Sequence, residues 1–597
     1  MTELLTAAQM RAIEAAAIAS GEVTGLELME RAGRGVVEAI FEEWPELAAT
    51  SHRAVVLCGP GGNGGDGFVV ARLLKEWGWE VKVFLYGTPE RMPPDARVNY
   101  ERWAAMGEVG DAASFAPWDT DAAVYVDALF GIGLSRPLEG QAFGISKSLE
   151  DSARNHAGRL VTVDVPSGLC SDSGRDMCQK RVGGIRADLT VSLGYAKLGH
   201  VLGVGPEHSG KLVTKSIGLD PRKAMRALGG RYDPLTKTKP NGSVVVRLDG
   251  FDLQPGFSDV HSILDKGWTE TSSHKYSHGH ALILSGHPGH GGAARLAARG
   301  ALRIGAGVVT VACPPDALPE NAARLDAVML RVVADGAGLA EVLGDKRINA
   351  LCLGPGLGLD ARAVGLVAAA LGRFPEGPPP PTPPHAGEGR HQASGHQDIK
   401  KDMPQAAPRP QGGEGLGQGV LMKSAATQDN RPTVFDADAL TILSRHPDLF
   451  AALHPTCVLT PHAGEFVRLF PDIAAKLNAP ATSGPAYSKV DATREAAKRA
   501  GCVVLFKGAD TVIADPSGRC AINSAHYDRA APWLATAGSG DVLAGFITGL
   551  LARDFAPMQA AETAAWLHVE CARSFGPGLI AEDLPDELPK VFRALGL

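Results

Sequence analysis

Ala537-Gly538-Ser539-Gly540-Asp541 runs without a break into the apolar stretch Val542 to Leu551. Small residues there let consecutive backbone N–H groups close around a phosphate at the positive end of the helix that follows. Asp541 carries a carboxylate at the same helix end, where it can take the proton from a hydroxyl attacking a phosphoryl group. Alone, the stretch could equally be a glycine-rich turn with Asp as a helix-start residue. Its surroundings decide between the two.

Working upstream, three segments each follow a short apolar run that reads as a buried strand: Val434 to Leu440, with Asp436 and Asp438; Leu459 to Glu465, with His462; and Phe506 to Thr511, with Lys507. Polar residues at strand C-terminal ends are what an open α/β sheet provides. Gly354-Pro355-Gly356-Leu357-Gly358 precedes them, and Gly286 to Ala294 comes earlier still. This order of motifs, over about residues 275 to 575, resembles the ribokinase-like superfamily and, more closely, the ADP-dependent NAD(P)H-hydrate dehydratases. The resemblance implies a ribokinase-like α/β fold with Asp541 as the base. It also implies hydrate contacts from Ala293, Gly356, Gly358, His462 and Asp541. The nucleotide would lie on Lys507, Gly508, Ala509, Asp510 and Thr511, and on Thr536, Ala537, Gly538, Ser539 and Gly540. ADP with Mg²⁺ is the implied phosphoryl source.

The first half carries its own chemistry. Gly59-Pro60-Gly61-Gly62-Asn63-Gly64-Gly65-Asp66-Gly67 has six glycines in nine residues between a predicted strand and a predicted helix. Such density belongs where backbone approaches a ligand closely or adopts positive φ. Gly59, Gly61 and Gly64 satisfy the GxGxxG spacing of a dinucleotide site, but Val81 to Tyr86 ends in Gly87 without the acid that would hold a ribose. Two further loops at strand ends, Asp127 to Leu134 and Val163 to Gly168, complete a set that resembles the NAD(P)H-hydrate epimerase domain over about residues 1 to 220. That resemblance implies a Rossmann-like three-layer α/β/α fold, with Asp164 as the acid at the substrate and a K⁺ ion held by Asn63, Asp127 and Ser167. Hydrate contacts are implied for Gly62, Asn63, Gly64, Gly65, Asp66 and Asp164, and for Gly131, Ile132, Gly133, Leu134, Ser135, Arg136 and Pro137, with Arg136 as a phosphate partner. Gly62 stands where that family usually has a first asparagine.

Alternation of strands and helices predicts a parallel sheet covered on both faces. Two helices open the chain, each with a capping box, Thr6 with Gln9 and Thr24 with Glu27. Predicted strands follow at Ala54 to Gly59, Val81 to Tyr86, Ala123 to Leu129, Leu160 to Val165 and Lys211 to Leu219, with a helix over Phe68 to Trp77. The expected division is 1–220, a connector at 221–273 where periodicity fades, and 274–597. No motif straddles the connector, so a cut near Glu270 is expected to separate two working halves. Phe374 to Asn430, with the run Pro378 to Pro384 and almost no large apolar side chains, reads as a disordered insertion.

Composition sets limits. The chain has 597 residues, 45% of them hydrophobic, and a net charge of -7, which leaves no basic field for nucleic acid. Nine cysteines with no CxxC pair indicate neither a disulfide framework nor a zinc site. The opening Met1 to Gln9 lacks a basic, then apolar, leader, and no apolar run reaches the roughly 20 residues that span a bilayer. A cytoplasmic protein independent of membrane and nucleic acid is therefore expected, and the resemblance implies a homo-oligomer acting on the hydrates of NADH and NADPH. A rival from the same motifs is a small-molecule kinase fused to a nucleotide-binding domain, whose product would keep the phosphate. A second rival, a sensor that binds nucleotide without turnover, has no use for Asp541.

Overall fold

The computed structural model describes residues 2–116, 121–178, 183–220, 244–249, 264, 266, 274–373 and 430–597. Two sheets organise them. In chain order the strands are β1 (Thr2–Leu4), β2 (Arg53–Cys58), β3 (Glu80–Leu85), β4 (Val109–Asp111), β5 (Val124–Ala128), β6 (Arg159–Val163), β7 (Leu189–Leu193), β8 (Lys211–Lys215) and β9 (Val245–Arg247). The second half adds β10 (His280–Leu284), β11 (Val308–Cys313), β12 (Met329–Val332), β13 (Ala350–Leu353), β14 (Thr433–Phe435), β15 (Cys457–Leu459), β16 (Val503–Phe506), β17 (Asp510–Ala514) and β18 (Cys520–Ser524).

The smaller sheet has the order β4-β3-β2-β5-β6-β7-β8, and every pairing in it is parallel. Alternate residues of β2 feed different cores: Ala54, Val56 and Cys58 pack on one face, Val55 and Leu57 on the other. Burial on both faces is what an all-parallel sheet requires. The larger sheet has the order β1-β9-β18-β17-β16-β15-β14-β13-β10-β11-β12. It is parallel from β12 through β16, then turns antiparallel at β17 and β18. Leu282 and Leu284 of β10 enter one core, Ala281 and Ile283 the other. The fold is thus two α/β units. No described helix is long and apolar enough to cross a membrane.

Several sequence expectations need correction. The helix expected over Phe68 to Trp77 spans Gly62–Glu76, so the glycines build its first turns as well as the loop before it. Gly59 and Gly64 are glycine for packing reasons: a Cβ on Gly59 would strike the Leu129 carbonyl, and one on Gly64 would strike that of Gly59. The strand expected to reach Leu219 stops at Lys215, and β4 and β7 were not anticipated. The division at residues 220 and 273 also fails to follow the sheets. Strand β9 lies inside the expected connector yet pairs with β18, and β1, at the start of the chain, pairs antiparallel with β9. Both are strands of the larger sheet. Both capping boxes at the first helices, Ala7–Ala19 and Gly25–Glu43, are present as read. The proline-rich insertion lies outside the described residues.

Candidate active sites

In the smaller unit, the C-terminal ends of β2, β5 and β6 converge on one cavity of about 710 Å³, within the range of small-molecule sites. Asn63, Asp66, Asp164 and the loop Gly131 to Arg136 line it, which brings together most of the residues singled out in the sequence. Asp127 and Ser167 sit beneath. Ser167 donates its hydroxyl to Asp127 Oδ1 at 2.7 Å and its backbone N–H to Oδ2 at 2.9 Å. Burial pushes the Asp127 carboxyl up to about 6, and the hydrogen bonds from Ser167 hold it from rising further. Gly131 leaves room for Asn63, whose Oδ1 would lie 2.9 Å from a Cβ placed there. The Asn63 amide nitrogen is buried without a partner, a cost that a bound ligand would relieve.

Asp164, the residue just after β6, has a left-handed backbone, φ 66°, rare for a residue with a side chain. What holds it was not legible from motifs. The ammonium of Lys197, fully buried, forms an ion pair with Asp164 Oδ1. It also donates to Ser192 Oγ at 3.2 Å and Leu193 O at 2.8 Å. His200 Nε2 lies 2.9 Å from the Asp164 carbonyl. Burial, helped by Lys197, brings the imidazole down to about 4, so it is neutral at physiological pH. Lys197 follows β7, and missing that strand hid it. The available signal was the apolar run Leu189 to Leu193 itself. Arg11 and Glu14, from the first helix, also line the cavity.

Gly62 is exposed at the start of its helix, and a Cβ there would meet nothing within 4 Å. The glycine is not demanded by the backbone.

In the larger unit, Gly538 adopts φ 87° as the cap of the helix Ser539–Ala552. A Cβ there would press on Leu296, at 2.7 Å. Asp541 stands in that helix's first turn. Burial, followed by the nearby charges of Asp436, Asp438 and Glu465, pushes its carboxyl up to about 7 against the opposing pull of Lys507. Lys507 Nζ lies 3.4 Å from the position a Gly540 Cβ would occupy, so a cation borders the glycine loop. It is paired with Asp436 at 2.7 Å and lies 3.9 Å from Glu465. Burial works against its charge, but those two carboxylates outweigh burial and raise its pKa.

The remaining expected residues divide into builders and exposed edges. Gly356 adopts φ 62°, and a Cβ there would strike the His290 carbonyl and lie 3.5 Å from the Ala293 Cβ. Gly358 N–H donates to Asp438 at 2.9 Å. His462 caps the helix Ala463–Leu469, its Nδ1 accepting from Gly464 N–H at 2.9 Å, while its side chain stays 56% exposed. Thr511 is spent on its own loop: its hydroxyl donates to Gly508 O and accepts from Gly508 N–H. Ser539 likewise donates to Thr536 O at 3.0 Å. Asp510 receives Lys489 Nζ at 2.6 Å and the Gly203 N–H of the other unit at 3.0 Å. Lys489, which also donates to the Lys507 carbonyl at 3.2 Å, lacks any motif.

Comparison with known proteins agrees with both halves. Residues 25–199 match a family described as YjeF-related protein N-terminus. Residues 281–373 and 412–591 match NAD(P)H-hydrate dehydratase. A bifunctional NAD(P)H-hydrate repair enzyme of Moorella thermoacetica is 32% identical, over 99% of this chain and 97% of that protein. This chain belongs to the bifunctional NAD(P)H-hydrate repair enzyme family. Within that family's first half, an NAD(P)H-hydrate epimerase of Roseobacter litoralis is 46% identical across its full length and 37% of this chain. One of Rhodobacter capsulatus is 51% identical over 30% of this chain and 82% of that protein.

Proposed function

We propose that the smaller unit interconverts the R and S forms of NADH and NADPH hydrated at nicotinamide C6, and that the larger unit dehydrates the S form with ADP, releasing AMP and phosphate. The family membership supports the pairing of the two reactions. For dehydration, the supporting observation is Asp541 poised near neutrality at a glycine loop bordered by Lys507. Hydroxide is a poor leaving group, so phosphorylating it first is the logical use of such a loop. Asp541 takes the C6 hydroxyl proton as that oxygen attacks the phosphoryl group, and the N–H groups around Gly538 to Gly540 with Lys507 stabilise the charge that develops. The N1 lone pair expels phosphate, and loss of a C5 proton restores the dihydropyridine. Gly356, Gly358 and the exposed edge of His462 form the hydrate side.

Among the described residues no three or more His, Cys, Asp or Glu side chains are gathered to hold a metal ion by themselves. A Mg²⁺ ion carried with ADP would therefore keep most of its ligands from phosphate oxygens and water, as that ion prefers, and would screen phosphate charge. In the smaller unit Asn63, Asp127 and Ser167 offer hard oxygens from three elements, a donor set that fits K⁺. That ion would fix the loop that lies against the substrate.

Incubating hydrated NADH with the full chain, ADP and Mg²⁺ should restore dihydropyridine absorbance with release of AMP and phosphate. Phosphate retained on the organic product would instead establish a small-molecule kinase, and no recovery of absorbance would remove the dehydratase reading.

A further inference from the structure

The cavity of the smaller unit holds more acid than one base requires. Asp164 has a buried cation of its own in Lys197. Asp66, in the second turn of the helix Gly62–Glu76, also lines the cavity, and among the described residues no hydrogen bond or ion pair engages its carboxyl. The groups facing it are Glu14 of the first helix, Asp164 just after β6, Lys197 beyond β7, and the Cys58 thiol of β2. Arg11 and Asp95 line the same cavity. Burial, then the like charges of Asp164 and Glu14, hold the Asp66 carboxyl well above the usual carboxylate range, with Lys197 opposing. One cavity thus holds an unpaired carboxyl that burial and like charges bias toward its protonated form and a second carboxyl paired with a buried lysine, an arrangement that lets one site run both acid and base chemistry.

We propose that Asp66 is the general acid of epimerisation, giving its proton to the departing C6 hydroxyl, and that the Asp164–Lys197 pair is the base for the water that replaces it. The inference rests on the epimerase reading above. The Asp66 proton goes to the hydroxyl oxygen, the C6–O bond breaks, water leaves, and the N1 lone pair forms a C6=N1 iminium. Water adds to the opposite face of C6 and yields its proton to Asp164. Nothing is oxidised or reduced. The proton moved from Asp66 to Asp164 returns through solvent in the open cavity.

The test uses the full chain and the R hydrate in ¹⁸O-labelled water, with ADP omitted. Each inversion should place one solvent oxygen at C6, whereas inversion by opening of the C6–N1 bond keeps the original oxygen. Retention of that oxygen in most of the S product overturns the proposal, whatever any variant does. Asp66→Asn should lower kcat for epimerisation at least about 10²-fold with little change in KM, and should leave dehydratase turnover intact as the check on folding. In the wild type, kcat should fall as pH rises through the Asp66 pKa, and Glu14→Gln, by removing a like charge, should move that fall to lower pH. If Asp66→Asn retains kcat within threefold while the wild type interconverts the epimers, the acid assignment fails and the epimerase reading stands. If the wild type does not interconvert them at all, both fail.

Discussion

At the scale of single residues, Asp541 carries the strongest expectation. Asp541→Asn removes the base and keeps the glycine loop, so dehydration should fall at least about 10²-fold while ADP affinity, measured by calorimetry, hardly changes. Near-normal turnover would exclude the mechanism. A base whose carboxyl is pushed up to about 7 is protonated at pH 6, so kcat for dehydration should rise between pH 6 and 8. The same shift makes a stability statement. The folded chain holds this proton where the unfolded chain has lost it, so stability contributed by the site declines as pH rises from about 4 to about 7. Asp541→Asn should therefore melt higher than the wild type at pH 8, a case of function held at the expense of stability. At Gly62 the space around the missing side chain is open. Gly62→Asn should fold normally and lower KM for the R hydrate roughly 2- to 10-fold, the worth of one added hydrogen bond of about 0.5–1.5 kcal/mol. An unchanged KM would show that position 62 does not reach the substrate.

At the scale of elements, the loop Lys507 to Thr511 is shaped from outside itself. Lys489 opens the helix Lys489–Ala500 and sends its ammonium to the carbonyls of Lys507 and Asp510 and to the Asp510 carboxylate. Lys489→Met should loosen that loop and raise KM for ADP by more than about tenfold, leaving KM for the hydrate alone. An equal rise in both would mean a general loss of structure. Strand-end motifs such as Asp436, Lys507 and Asp541 were legible because chemistry demands particular side chains at particular ends of a parallel sheet. Lys489 and Lys197 were not, because a lysine is normally read as solvent-exposed, and only the tertiary arrangement shows that each is turned inward onto a carboxylate. Short strands were hidden for a related reason. Val109–Asp111 and Val245–Arg247 span three residues each, too few for any periodicity to register, and they are strands only because longer neighbours offer them an edge.

At the scale of the whole molecule, sequence suggested two halves joined by a connector, and the two units are in fact interleaved. The Gly484 N–H donates to the Ser135 carbonyl at 2.9 Å, tying the candidate substrate loop of one unit to the other. The Tyr527 hydroxyl donates at 2.5 Å to the carbonyl of His200, the residue that supports Asp164. Cys170 and Met177 share a small apolar cluster with Ala486. The larger sheet also needs β9 and β1 to cover the edge of β18, burying Leu4, Val245 and Leu248. A cut near Glu270 sends both strands away with the first half. The second half alone would then expose the fully buried strand β18 as an edge and lose three buried aliphatic side chains, worth about 1.5–3 kcal/mol each. Its dehydratase activity should accordingly be lost at a temperature more than about 5 °C below that of the intact chain. A cut near Leu235 leaves β9 with the second half and should cost less, because only β1 departs. Mixing the halves from the Glu270 cut should restore both the inactivation temperature and a single complex on gel filtration. If the second half from that cut is as stable alone as the intact chain, β1 and β9 are ornaments of the sheet, and the two units are as independent as the sequence suggested.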